Sequence, residues 1–460
     1  MDDIIIFGAG KTAVKIHNWA IFAGYRVLFF VDNDSAKWGK SIQDKPIYSP
    51  GILSKYNCSI VFQDVYKKEI EMQLNKMPYY GCKMTFTQLI KGAVCRKDAD
   101  IKLPEVYSDR KISFVFDAYF SGLNWGGVES WSCTVAKGLS DLNVNTCLIC
   151  GTNRRFDDYV DNCLHFYDQE EVALVKKMAT KIIECLPCIF ISHASIALYA
   201  ACIVKSMFPD QIKLIVVAHG DEENTYRTLG LWSDQIERIV CISKKIYNEF
   251  QVRYGFGEEI LLYHPNPVQI STLPDKERTY GDTLRIGFAA RLRKAQKRAH
   301  LLPDIIEACA RRNVDVEFNI AGEGECLELL QAYVLDKHLD DKVHILGWLP
   351  PTDMADFWRR QDIYLNISDF EGMSLAMLEA MSQGCVPVVT DVSGVRDVIE
   401  DGENGFVIPI ENWLEAVDKI EIISKGREAA QKASDFNKKI IRTKYNVCDY
   451  ARWMMETFHF

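Results

Sequence analysis

Nine short runs rich in β-branched and aromatic residues recur along this chain, each closing in a polar or glycine-rich turn. They are "IIIFGAG" (4–10), "YRVLFFVD" (25–32), "ISFVFDAY" (112–119), "CIFISH" (188–193), "KLIVVAHG" (213–220), "LRIGFAAR" (284–291), "VEFNIAGEG" (316–324), "IYLNIS" (363–368) and "VPVVTD" (386–391). Amphipathic helical stretches separate them. Parallel strands need such crossovers, so the alternation specifies the α/β class, with doubly wound parallel sheets covered by helices. In sheets of this kind ligands sit at the carboxyl ends of the strands, where these turns fall.

At 460 residues the chain exceeds a single core and calls for roughly two to four domains. Two stretches read as linkers: "CRKDADIKLPEVYSDRK" (95–111) is charged and aperiodic, and "STLPDKERTYGDT" (271–283) is polar with Pro and Gly. They divide the chain into 1–95, 112–270 and 284–460. The last segment, "CDYARWMMETFHF", reads as an amphipathic helix with Tyr450, Trp453, Met454 and Phe458 near one face. In a two-lobed enzyme such a helix could pack back across the other lobe.

No stretch approaches the roughly 18 apolar residues of a membrane span, and Asp2 and Asp3 precede the first strand where a signal peptide would be basic. The expected location is cytoplasmic, with peripheral contact at the inner membrane face left open. A net charge of −9 argues against nucleic acid as a partner. Yet "RLRKAQKR" (291–298) holds five basic residues, which suits a small anionic ligand. Fifteen cysteines without an export signal imply reduced thiols. Cys147/Cys150 and Cys185/Cys188 have a zinc-site spacing, but the first pair lies in a strand, where i and i+3 point to opposite faces. No metal site is expected.

The segment "DFEGMSLAMLEAM" (369–381) sets Glu371 and Glu379 around an almost wholly apolar helical run. Carboxylates in such a setting need partners, because desolvating them is costly. The surrounding residues 343–409 resemble the nucleotide-sugar-binding lobe of family 4 glycosyltransferases. The likeness lies in Glu371 and Glu379 at Glu-x7-Glu spacing, Gly384, Pro387 and the Asp401-Gly402-x-x-Gly405 turn. Upstream, Arg291 and Lys297 match the family's basic residues after the first strand, and "NIAGEGE", with Gly322, matches its glycine turn.

The resemblance implies a retaining enzyme with the GT-B fold of two facing Rossmann-like lobes. It implies transfer of a sugar from a UDP- or GDP-hexose to a glycan, lipid-linked or protein acceptor, in bacterial polysaccharide or glycoconjugate synthesis. Carried over, Glu371 accepts from the transferred sugar and Glu379 from the ribose. Arg291 and Lys297 would stabilise the leaving diphosphate without a metal. Gly372, Met373 and Ser374 would open the helix and offer backbone N–H groups to the donor. Arg293, Lys294 and Arg298 read as solvated. One departure is Ser393-Gly394-Val395-Arg396-Asp397, where the family has a glutamate and this chain a shorter acid.

In the middle segment, Gly126, Gly127 and Glu129 resemble the start of the family's amino-terminal lobe, and His219 falls where the family places a cleft histidine. The first module has Gly8-x-Gly10-x-x-Ala13 between a strand and a helix, with Asp32 ending the second strand, the dinucleotide-binding pattern. "KWGKSIQDKPIYSP" (37–50) resembles small Rossmann-like domains fused to bacterial sugar-modifying enzymes. Some one hundred residues are too few for a full six-stranded dinucleotide site plus a substrate domain. The module is therefore expected to dock or oligomerise, with an NAD-type ligand as the competing reading. That reading would make the chain an NAD-dependent sugar oxidoreductase or epimerase. A non-catalytic sugar-nucleotide-binding protein is the remaining alternative.

Overall fold

In a computed structural model of the chain the described residues are 2–96, 98–103, 113–119, 126–151, 163–166, 170–271, 281 and 283–459. Most of both expected linkers lies outside them. The chain forms two compact units. One comprises Met1–Gly122, Ile149–Arg154 and Cys163–Leu214, the other Leu123–Leu148, Arg155–Asn162 and Ile215–Phe460.

The first unit opens with a six-stranded sheet in the order Ser41–Ile42, Lys45–Tyr48, Arg26–Val31, Asp3–Phe7, Ser59–Phe62, Lys83–Thr85. All pairings are parallel except the short hairpin Ser41–Ile42/Lys45–Tyr48. Six strands therefore do fit into the module. The strand Ser59–Phe62, reading SIVF, is as apolar as the two strands named from the sequence, while Lys83–Thr85 and the hairpin strands are short. The helix after the glycine turn, Ala13–Phe22, packs on the helix Glu171–Glu184. Trp19 is fully buried, donates from Nε1 to Glu171 at 2.9 Å and meets Tyr199 edge-on at 5.8 Å. Lys15 pairs with the same Glu171 at 2.8 Å. Burying an indole this size stabilises by about 2–3 kcal/mol, so the module's first helix is a packing helix.

The second unit holds a parallel six-stranded sheet in the order Val343–Gly347, Val316–Ala321, Leu284–Ala289, Ile363–Asn366, Val386–Thr390, Phe406–Ile408. The chain starts at Leu284–Ala289, moves outward on one side, then crosses to Ile363–Asn366 on the other. The direction of winding reverses between those two strands, and a crevice opens beyond their carboxyl ends. Three further parallel strands belong to this unit, Arg238–Cys241 and Leu261–Tyr263 in full and Ile212–Ala218 from Ile215 onward. The terminal helix Val447–Thr457 packs on Gly127–Asp141, with Tyr450 and Met454 buried. Among the described residues no helix is long and apolar enough to cross a membrane.

Candidate functional site

A cavity of about 420 Å³ lies at this switch point. It is lined by Arg291 and Lys297 from the loop after Leu284–Ala289, and by Glu371 to Ala376 and Glu379 beyond Ile363–Asn366. His219 and Asn266 come to it from the strands before the sheet, and Gly126 and Gly127 from the start of the helix Gly127–Asp141.

The loop 291–298 is irregular and tied down. Asp369 N–H donates to the Gln296 carbonyl at 2.9 Å, and Gln296 Nε2 donates to the Phe370 carbonyl at 3.3 Å. Arg298 pairs with Asp369 at 3.0 Å and donates to the Ile410 carbonyl at 2.7 Å, with 16% of its side chain exposed. The solvated reading of Arg298 is thereby corrected: it clamps the basic loop to the glutamate loop. Arg293 and Lys294 are exposed. Gly322, at φ +136°, lies so close to this loop that a Cβ would stand 1.9 Å from the Ala290 carbonyl oxygen. Only glycine permits that approach, which seats the backbone carrying Arg291.

Lys297 and Glu371 form an ion pair, and Ser368 Oγ donates to the same Glu371 oxygen at 2.8 Å. Among the described residues no carboxylate comes within ion-pair distance of Arg291. Glu129 is close by at the Gly126 corner, where a Cβ on Gly126 would lie 3.0 Å from Glu129 Oε2 and 3.6 Å from Arg291 Cζ. Burial raises the Glu129 pKa, opposed by its own backbone N–H and by the Arg291 charge. Arg291 thus stands as a cation at the cavity wall.

The helix that carries Glu379 spans Leu375–Ser382. Ser374 is its N-cap, accepting from Met377 N–H at 3.3 Å, so Gly372 and Met373 precede the helix and do not open it. Gly372 lies against His219, a Cβ there meeting the His219 carbonyl oxygen at 1.9 Å. The Met373 carbonyl accepts from Asn266 Nδ2 at 3.0 Å. Glu379 keeps a face toward the cavity, yet burial pushes its pKa up to about 7, partly offset by the Trp358 indole. His219 lines the cavity while protein packs the rest of its ring, and burial pushes its pKa down to about 3. It is a neutral imidazole held edge-on at 5.3 Å by Trp131.

Trp131, and Tyr364, Asn366 and Ser368 beneath the glutamate loop, were not singled out from the sequence. They look like ordinary strand and helix residues, and only the fold brings them under the cavity. Asp397 has left the ligand side altogether: its Oδ2 accepts from Lys244 N–H at 2.8 Å and Tyr263 Oη at 3.3 Å.

Gly8, Gly10 and Asp32 belong to the first unit and are not among the residues that line this cavity. Asp32 Oδ2 accepts from Ala9 N–H at 2.6 Å and from Lys37 Nζ at 2.9 Å, and Oδ1 accepts from Asp34 N–H at 2.8 Å. Burial alone would raise its pKa, but these bonds hold it below the ordinary value. Both oxygens are engaged within the module.

Residues 269–440 match the family described as glycosyl transferases group 1, and residues 1–84 match the one described as C2185-like, N-terminal. The chain is 23% identical over 283 residues to N-acetyl-alpha-D-glucosaminyl L-malate synthase of Bacillus anthracis, covering 57% of this chain and 72% of that one. It is 27% identical over 233 residues to the GPI3 subunit of phosphatidylinositol N-acetylglucosaminyltransferase from Saccharomyces cerevisiae, covering 48% and 50%. With poly(ribitol-phosphate) alpha-N-acetylglucosaminyltransferase of Staphylococcus aureus it shares 29% over 162 residues, covering 34% and 32%. The chain thus spans less than two thirds of the last two relatives. Among solved structures, Anabaena HepE in complex with UDP and glucose superposes with a TM-score of 0.64 at 17% identity, over 75% of this chain and 99% of that one. Staphylococcus aureus TarM with fondaparinux, alpha-GlcNAc-glycerol and UDP gives 0.61 at 13%, again over 75% and 99%. These likenesses establish the fold as GT-B.

Proposed function

We propose that this chain, which through residues 269–440 belongs to the glycosyl transferases group 1 family, is a retaining hexosyltransferase of family 4. In this reading it moves a sugar from a nucleoside diphosphate to a glycan, lipid-linked or protein acceptor. Residues 284–460 are the donor lobe, 112–270 the acceptor lobe, and 1–95 an accessory module. The observation that carries the reading is the joining of Arg291, Lys297, Glu371, Glu379 and His219 around one cavity at the switch point.

The chemistry of each group fits a part of the donor. Glu379 offers two oxygens to the vicinal ribose hydroxyls. Arg291 and Lys297 meet the diphosphate, whose negative charge grows as the glycosidic bond breaks. Glu371 accepts from hydroxyls of the sugar ring, and neutral His219 stands beside it without adding charge. The names of the relatives favour UDP and an N-acetylglucosamine-type sugar over GDP. The proposed setting is polysaccharide or glycoconjugate synthesis on the cytoplasmic side of a bacterial membrane, with peripheral contact.

An oxidoreductase built on the first module would need Asp32 to accept a ribose hydroxyl, and that carboxylate already holds three donors. A purely binding protein would hold the same diphosphate on these cations without releasing the sugar, so turnover of the donor separates the two readings. The role assigned to residues 1–95 is docking through the helix Ala13–Phe22, with self-association as its extension.

A thermal-shift series with UDP, GDP, ADP and NAD tests the assignment, since a ligand of the folded state alone raises its melting point. UDP or GDP should raise Tm and NAD should not. A shift with NAD alone would reverse it. Retention is tested by the anomeric configuration of the product, read by NMR against that of the donor.

A further inference from the structure

The polar chain beneath the glutamate loop fixes the direction of one hydroxyl at the cavity. Asn366 Oδ1 accepts from Ser368 N–H at 2.8 Å, which turns the amide so that Nδ2 donates to Tyr364 Oη at 3.0 Å. Tyr364 is 2% exposed, and its oxygen has one other polar partner among the described residues, Ser374 Oγ at 2.9 Å. A buried phenol must place its proton, and Asn366 has only a donor to show it. The proton therefore goes to Ser374 Oγ. That oxygen also accepts from Met377 N–H at 3.3 Å. Both lone pairs of Ser374 are engaged, and its own O–H is what remains, on a residue that lines the cavity.

We infer that Ser374 is a directed hydroxyl donor to a phosphate oxygen of the nucleotide donor, and that Tyr364 is the positioning residue that sets this direction. The inference rests on the donor reading above. A sugar hydroxyl both gives and takes a hydrogen bond, whereas a phosphate oxygen only accepts, which matches a group that can only donate. The N–H groups of Leu375 and Ala376, at the same helix start and on the same cavity wall, also favour an anion. Burial raises the Tyr364 pKa further, so the phenol keeps the proton that the relay requires.

The test is UDP and uridine binding by calorimetry on the full chain, for Ser374→Ala, Tyr364→Phe, the double variant and Ser374→Thr. Losing a hydrogen bond to a charged group should weaken UDP roughly tenfold in Ser374→Ala and about threefold in Tyr364→Phe. The double variant should equal Ser374→Ala alone, because Tyr364 acts only through Ser374. Ser374→Thr should bind UDP as the wild type does, and uridine should not distinguish the variants. Ser374→Gly, which keeps a tolerated helix cap without the hydroxyl, should repeat the loss seen with Ser374→Ala. Multiplying losses in the double variant, undiminished UDP binding in Ser374→Ala, or an equal loss with uridine would overturn the inference. A wild type that fails to bind UDP would instead overturn the donor reading and take this inference with it.

Discussion

Lys297 and Glu371 hold each other: the ammonium and the carboxylate form an ion pair with 15% and 10% of their side chains exposed. These are the cation assigned to the diphosphate and the acid assigned to the sugar. A pair this enclosed keeps both charges compensated until a ligand arrives, since either left alone would bear its full desolvation cost. On the proposed reading, donor binding exchanges these partners, phosphate oxygens taking Lys297 and sugar hydroxyls taking Glu371.

That exchange predicts an asymmetric effect. Glu371→Ala releases Lys297, so affinity for free UDP should stay equal or rise, while kcat falls by roughly two powers of ten or more. Calorimetry beside steady-state turnover measures both. A tenfold loss of UDP affinity would mean that Glu371 organises the nucleotide site itself.

Glu379 gives a pH signature. Burial pushes its carboxyl up to about 7 from an ordinary 4.5. Ribose hydroxyls donate to the ionised form, so UDP affinity should climb as pH rises through about 7 and flatten above it. Stability moves the opposite way: the raised folded pKa favours the protonated fold. Its contribution is full below 4.5 and is lost as pH rises through about 7. Glu379→Gln should lower UDP affinity about tenfold and flatten both curves. A wild-type UDP affinity that ignores pH across this window would remove the ribose assignment.

His219 should leave no mark on the rate profile near the ordinary histidine value, because its pKa is pushed down to about 3. The unfolded chain takes up a proton below the ordinary 6.5 while the folded ring stays neutral, so stability falls as pH drops from 6.5 toward 3. His219→Gln, also neutral, should retain more activity than His219→Ala. An acidic limb of kcat near 6.5 that vanishes in His219→Gln would contradict the neutral assignment.

The sheet class and the residues at the cavity were legible because strand ends carry ligands, and Arg291, Lys297, Glu371 and His219 each follow an apolar run. Their partnerships were not. Nothing in "RLRKAQKR" says that Lys297 lies against Glu371 or that Arg298 clamps Asp369, since those contacts span more than seventy residues of chain. Tyr364 and Asn366 alternate within a buried strand and carry no signature until the backbone sets their side chains beneath Ser374. Asp32 was legible as a strand-end acid, but its capture by Ala9 N–H depends on the turn's conformation.

The first module should bind no dinucleotide at micromolar concentration. Asp32→Asn should lower its stability by about 1–3 kcal/mol, because Lys37 and two backbone donors lose a charged acceptor. Calorimetry with NAD and NADP, and thermal unfolding of the variant, measure each. Tight NAD binding abolished by Asp32→Asn would restore the dinucleotide reading.

Release of the nucleoside diphosphate from UDP- and GDP-sugars, by the full chain with EDTA present, tests the central claim most directly when Lys297→Ala is run beside the wild type. Fixed cations at the leaving group predict release from one of these donors in EDTA, and a fall in kcat/KM of roughly a hundredfold or more in Lys297→Ala. Release from none of them, or equal release by Lys297→Ala, would contradict the account.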